Sequence, residues 1–274
     1  MIRRLAAVAA LGVALAARAA DPVAFVADVM GNATIEGDGR LGFLVELPSG
    51  VRLLLGTGAK VAVTYAASGA EFTLSGPGEF LVGAETVSAE KGSAPRKRQV
   101  AQLRDALTLA RVSRTATASL RMRGLAPEAA ATRGVLEFPV DTAVASLQPT
   151  LRWRATSDEN TVRIIDVQGK EVWKGSGKSG SVRAGVKLSP ATRYTWTVMA
   201  PKGVLAQARF ETLSAEAIAR VDKSRAGAKT FSTRVLHAVV LQDVGATQEA
   251  REAWAALARE RPDLPELNAL ATGR

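Results

Sequence analysis

Leu188-Ser-Pro-Ala-Thr-Arg-Tyr194-Thr-Trp196 decides the fold of the middle of this chain. A Leu, a Pro two residues on and a Tyr six residues on match the corner at which a β-sandwich strand turns over. There the Tyr hydroxyl bonds back to nearby backbone. Upstream, Leu151-Arg-Trp153 places a tryptophan where such a sandwich buries one between its sheets. All of this is scaffold chemistry, with no catalytic group in it.

Working outward, strand-like runs surround the corner. They are Pro149 to Trp153, Val162 to Val167, Val172-Trp173, Tyr194 to Met199 and Ala208 to Thr212. On these residues, 134–213 resembles a fibronectin type III or related immunoglobulin-like domain. The resemblance implies a β-sandwich with Trp153 and Tyr194 in its core.

Residues 21–90 read as a second all-β module. Short runs such as Ala24 to Met30, Leu41 to Leu47, Val51 to Leu55, Lys60 to Tyr65 and Glu71 to Leu74 are punctuated by glycine-rich turns. Val29-Met-Gly31, Val51-Arg-Leu-Leu-Leu-Gly56, Ala59-Lys-Val-Ala-Val63 and Phe72-Thr-Leu-Ser-Gly-Pro-Gly-Glu79 resemble the FecR-like domain of bacterial envelope proteins. Sensor members of that family carry a membrane span before this domain. Here residues 1–20 read instead as a cleavable secretory signal. Arg3 and Arg4 form its charged start, Leu5 to Ala17 its apolar stretch, and Ala17-Arg-Ala-Ala20 its small-residue end. The apolar stretch is too short to span a bilayer, so the mature chain is expected to start near Asp21, in the periplasm, without a transmembrane segment. With no cysteine, its domains carry no disulfides and stand on their cores.

Charge is unevenly distributed. Residues 21–90 hold three basic against nine acidic residues, 91–133 ten against two, 134–213 eleven against seven, and 214–274 nine against eight. The basicity therefore gathers in a belt at 91–133. Ala94-Pro-Arg-Lys-Arg98 reads as a charged break. Val100, Leu103, Leu107 and Ala110 then recur at helical spacing, Thr115 to Met122 alternates like a strand, and Ala126 to Ala131 reads as a linker. Arg96, Lys97, Arg98, Arg104 and Arg111 are the candidate contacts for a polyanion or partner. The competing reading is a solvated face that offsets the acidic first module.

Residues 214–274 turn helical, with Ser214 as an N-cap. Ala238, Leu241, Gly245, Ala250, Trp254 and Pro262 fall at the small–aromatic–proline spacing of one tetratricopeptide-like helix pair. One repeat cannot bury its own face. Trp254 is therefore expected to anchor a docking contact, either on the preceding helix or on another protein.

Three motifs invite chemistry and yield to plainer readings. Gly175-Ser-Gly-Lys-Ser-Gly180 ends like a phosphate loop, but position 172 is Val where that motif needs Gly, and the stretch joins two strands. It reads as a hairpin loop. His237 is the lone histidine and lacks partners for acid–base or metal chemistry. Asp38, Asp158, Glu159 and Asp166 lie in predicted turns. No cofactor, metal or nucleic-acid partner is expected.

The fold class expected is mainly β and multidomain: a FecR-like all-β domain, a fibronectin type III/immunoglobulin-like sandwich and a short C-terminal α-helical segment. The function expected is a non-catalytic periplasmic or cell-envelope binding or scaffold protein, with an envelope protein or glycan as partner. A regulator of an envelope signalling system is the alternative, and a two-carboxylate envelope glycan hydrolase a further one. Oligomeric state is left open.

Overall fold

The computed structural model describes residues 21–65, 67–100, 135–154 and 159–273. The chain is mainly β, with several antiparallel sheets and a C-terminal helical segment. Among the described residues no helix is long and apolar enough to cross a membrane. The signal-like stretch 1–20, the helix expected beyond Val100, the following strand and the linker lie outside the described residues.

The first unit comprises β1 (Pro22–Met30), β2 (Ala33–Ile35), β3 (Gly39–Arg40), β4 (Glu46–Pro48) and β5 (Arg52–Leu55). It continues with β6 (Lys60–Tyr65), β7 (Ala70–Ser75), β8 (Gly78–Val82), β9 (Val87–Lys91) and β10 (Arg96–Gln99). They form two five-stranded sheets, ordered β10-β7-β6-β1-β4 and β3-β2-β5-β8-β9. Alternating aliphatic residues supply the shared core: Val61 and Val63 from one sheet, Leu53, Leu55, Phe80 and Val82 from the other. Gly76 permits a close approach that no other residue would. A Cβ there would collide with the carbonyl oxygen of Gly56.

One sequence expectation fails here. The charged break at 94–98 is a strand: β10 pairs antiparallel with β7, with Arg96 opposite Thr73, Lys97 opposite Phe72 and Arg98 opposite Glu71. The Val100 N–H extends the pattern to the Gly69 carbonyl at 2.8 Å. Basic residues are poor strand formers, but an edge strand tolerates them, and charge on an edge blocks unwanted pairing.

The second unit comprises β11 (Leu136–Phe138), β12 (Thr142–Val144), β13 (Thr150–Trp153), β14 (Asn160–Asp166), β15 (Glu171–Gly177), β16 (Ser181–Arg183), β17 (Arg193–Ala200) and β18 (Gly203–Thr212). A three-stranded sheet, β11-β13-β16, faces a five-stranded one, β12-β18-β17-β14-β15. Trp153 and Trp196 are buried between them, with Leu151, Val162, Ile164 and Phe210. Neither indole N–H is left unpaired. Trp153 Nε1 donates to Asn160 Oδ1 at 3.0 Å and Trp196 Nε1 to the Pro139 carbonyl at 2.7 Å.

The corner forms as its spacing predicts. Tyr194 Oη accepts from the Ser189 N–H at 3.0 Å, and Leu188 is buried beneath the turn. Thr212 locks the bend from the next strand: its hydroxyl donates to the Ser189 carbonyl at 2.6 Å and accepts from the Thr192 N–H at 3.0 Å. The 175–180 stretch is not a hairpin, because β15 and β16 belong to different sheets. It crosses from one layer of the sandwich to the other.

Four helices close the chain: α1 (Ala215–Gly227), α2 (Phe231–Asp243), α3 (Thr247–Glu260) and α4 (Pro265–Thr272). Ser214 Oγ caps α1 by accepting from the Ala217 N–H, and Thr230 with Thr233 makes a reciprocal cap on α2. The apolar faces of these helices join the core of the first β unit, so Trp254, Leu257 and Leu267 share a continuous cluster with Val26, Phe43 and Leu47.

Candidate binding surfaces

The helices touch both β units, and polar side chains decide how. Toward the first unit, Arg261 donates to Asp28 Oδ1 at 2.5 Å and to the Val29 carbonyl at 2.6 Å. Its guanidinium lies 5.2 Å from the centre of the Phe231 ring. Phe231 in turn packs on Phe43. Toward the sandwich, Gln248 accepts from the Val140 N–H at 2.9 Å and donates to the Glu137 carbonyl at 2.5 Å. Glu249 accepts from the Ala145 N–H at 3.0 Å, and burial pushes its carboxyl above the usual carboxylate range.

Arg98 is the third tie. It forms an ion pair with Glu71, whose side chain is 0% exposed, and also donates to Thr230 Oγ1 at 2.8 Å and Ser232 Oγ at 2.7 Å. Both Glu71 oxygens otherwise lack a hydrogen-bond partner. Arg98 thus holds β10, β7 and α2 together, while 38% of its side chain stays exposed. Arg96 stays exposed at the edge, and Lys97 sits 5.8 Å from the Phe72 ring centre. Arg104 and Arg111 lie outside the described residues. Trp254 is 1% exposed and donates from Nε1 to Gln242 Oε1 at 3.2 Å, so its indole is an internal anchor and presents nothing to another protein.

The remaining singled-out groups fall into structural roles. His237 Nδ1 lies 2.7 Å from Ser224 Oγ, and that hydroxyl also reaches the Val221 carbonyl at 2.8 Å. The serine has one proton for these two acceptor positions, so the histidine tautomer sets the direction of the pair. Among the described residues no carboxylate orients the imidazole as a serine nucleophile's base requires. Burial, helped by the nearby Arg225 charge, holds the His237 pKa below its ordinary value. Asp166 Oδ1 accepts from the Gln168 and Lys170 N–H groups and shapes the β14–β15 turn. Glu159 accepts from Ser176 Oγ. Asp158 lies outside the described residues.

The recesses among the described residues include three open to a ligand. One of about 330 Å³ lies between β10 and α1–α2, bordered by Arg98, Val100, Lys229 and Thr233. Another, of about 290 Å³, lies between the sandwich and α3, bordered by Arg152, Arg183, Glu249 and Glu252. There Arg152 pairs with Glu252 and lies over the Phe138 ring. The third is an open groove of about 900 Å³ across the outer face of the five-stranded sandwich sheet, edged by the β14–β15 turn and the α2–α3 connection.

The outer face of that sheet was not singled out from the sequence. Its residues follow from register. Tyr194, Trp196 and Val198 point to the core, so Arg193, Thr195, Thr197 and Met199 lie on the opposite side of the sheet, where Thr197 is covered by its neighbours and only 2% exposed. Across the strands, Lys174 stands opposite Arg163, Arg163 opposite Thr197, and Thr195 opposite Arg209. The signal available was the alternation of charged with apolar residues in Val162-Arg-Ile-Ile and Ala206-Gln-Ala-Arg-Phe. It shows that a face exists but not which strands lie side by side.

No family model matches this chain, and no curated protein matches it. Among solved structures, a CopC from Methylosinus trichosporium OB3b aligns at 18% identity over 30% of this chain and 94% of its own, with a TM-score of 0.23. A β-glucuronidase from Ruminococcus gnavus, in complex with D-glucuronic acid, aligns at 19% identity over 26% of this chain, with a TM-score of 0.18. The aligned part is only 14% of that enzyme's chain. Likeness at this level carries no argument about function.

Proposed function

We propose that this chain is a non-catalytic binding or scaffold protein of the cell envelope, exported to the periplasm behind residues 1–20. The observation that carries the reading is the double attachment of the C-terminal helices. Arg261 and Arg98 tie them to the first β unit while Gln248 and Glu249 tie them to the sandwich. Such a clamp holds two interaction folds in fixed relation and leaves broad sheet faces outward, as a protein that bridges or presents partners requires. The partner is an envelope protein or glycan.

The test is cross-linking of the chain in periplasmic extracts, alongside a panel of glycan and ester substrates. Recovery of a specific envelope component, with no turnover, is the expected result. Turnover abolished by replacing one carboxylate would overturn the reading. The FecR-like residues Val51 to Gly56, which span β5, favour a second reading as regulator of an envelope signalling system. An unchanged set of envelope-responsive transcripts after gene deletion would end it.

A further inference from the structure

We propose that the outer face of the five-stranded sandwich sheet binds an acidic glycan, one that carries isolated carboxylates among many hydroxyls. This rests on the binding-protein reading above and names the chemistry of the partner. Four cations project from the face: Lys174 on β15, Arg163 on β14, Arg193 on β17 and Arg209 on β18. Glu211 answers Arg193 at 3.2 Å. Lys174, Arg163 and Arg209 have no carboxylate partner among the described residues.

Two like charges directly opposite each other in a sheet are destabilising, and Lys174 and Arg163 are so placed. The Arg163 Nε–H is moreover shut off from water without an acceptor. The terminal guanidinium nitrogens of Arg163 are not enclosed in this way, and a guanidinium takes a carboxylate in a two-pronged, charge-assisted way.

The groove beside these cations selects what kind of polyanion fits. Its volume, about 900 Å³, is at the upper end of the range for ligand sites. Arg193 and Arg209 share its lining with the carboxylates Asp141, Asp166 and Glu211 and the hydroxyls of Thr142, Thr195 and Thr247. An acidic peptide or polyphosphate would bring its charges against those carboxylates. A carbohydrate would donate hydroxyl hydrogen bonds to them and place its acid groups on the arginines.

The experiment is calorimetric titration of the intact chain with oligogalacturonate, with maltohexaose as the neutral glycan and polyglutamate as the acidic peptide. Oligogalacturonate should bind, more weakly as salt rises, and the two controls should not. The Arg163→Gln/Arg209→Gln pair should weaken binding at least about tenfold, the loss of one good charge-assisted contact. Arg96→Gln/Lys97→Gln, on the β10 edge, should leave it unchanged. Should Arg163→Gln unfold the sandwich, the exposed Lys174→Gln with Arg209→Gln replaces it. Absence of oligogalacturonate binding, equal binding of polyglutamate, or a loss seen with the β10 pair instead would each overturn the proposal. A chain that ignores the glycan yet still captures an envelope protein loses this inference and keeps the reading it rests on.

Discussion

Replacing Arg98 with methionine isolates the ion pair between this half-buried arginine and the fully buried Glu71 at the join between β10 and α2. Methionine keeps the length of the aliphatic stem, so the change removes charge more than volume. It leaves the Glu71 carboxylate, 0% exposed, without its cation and with no hydrogen bond to either oxygen. Breaking a buried pair from one side costs about 3–5 kcal/mol, because an uncompensated charge stays behind. It also removes the donor shared by Thr230 and Ser232, although those hydroxyls remain 3.3 Å apart and can still meet each other. The assay is urea unfolding at neutral pH followed by tryptophan fluorescence. With a slope near the upper end of the usual range, about 3 kcal/mol/M, the midpoint should fall by about 1–2 M. The double variant Glu71→Gln/Arg98→Met should recover much of that loss, since it removes the stranded charge as well. A single variant that loses under about 1 kcal/mol, or a double variant no better than the single, would refute the claim that this pair carries the join.

Other perturbations report on separate parts of the molecule. Trp153→Ala should cost about 3–5 kcal/mol, read as a lower melting temperature, because the ring is buried between the two sandwich sheets. Tyr194→Phe keeps the ring but strands the Ser189 N–H, for a loss of about 1–3 kcal/mol. Trp254→Ala should destabilise the chain by a similar amount to Trp153→Ala while leaving any co-purifying partner bound, since the indole touches only its own chain. For His237 the folded-state pKa is lowered, so the unfolded chain takes up the proton first and stability falls as pH drops through the ordinary histidine range. His237→Gln should flatten the melting temperature between about pH 5 and 7, and a slope identical to that of the parent would contradict the assignment.

The tyrosine corner was legible because it is local: Leu188, Ser189 and Tyr194 recognise each other within one turn, and their spacing alone carries the geometry. Trp153 and Trp254 were legible for a related reason, since a large ring gains most from burial, although Trp173 on β15 is only half-buried. The role of Arg98 was not. A run of Arg and Lys reads as solvated, and nothing along the chain says that Glu71 will stand opposite it or that Ser232 will arrive from far downstream. Trp254 could be read as an anchor. The surface beneath the helices could not, because it is built largely from strands more than two hundred residues earlier. The cationic sheet face needed the register of four strands, and register is set by pairings that the pattern of any single strand leaves open.

The contact of Arg261 with Asp28 and Val29 joins residues separated by more than two hundred positions, and that separation has a temporal side. At about 5–20 residues per second, the ribosome finishes the C-terminal helices on the order of ten to fifty seconds after β1 emerges. Throughout that interval Phe43 and its neighbours lack the cover that Phe231 will give them. The nascent first unit therefore keeps this apolar surface uncovered for longer than its own length alone would imply. A premature stop anywhere before Phe231 would leave it permanently so. The closing helices thus complete a core that the first unit leaves open until they arrive.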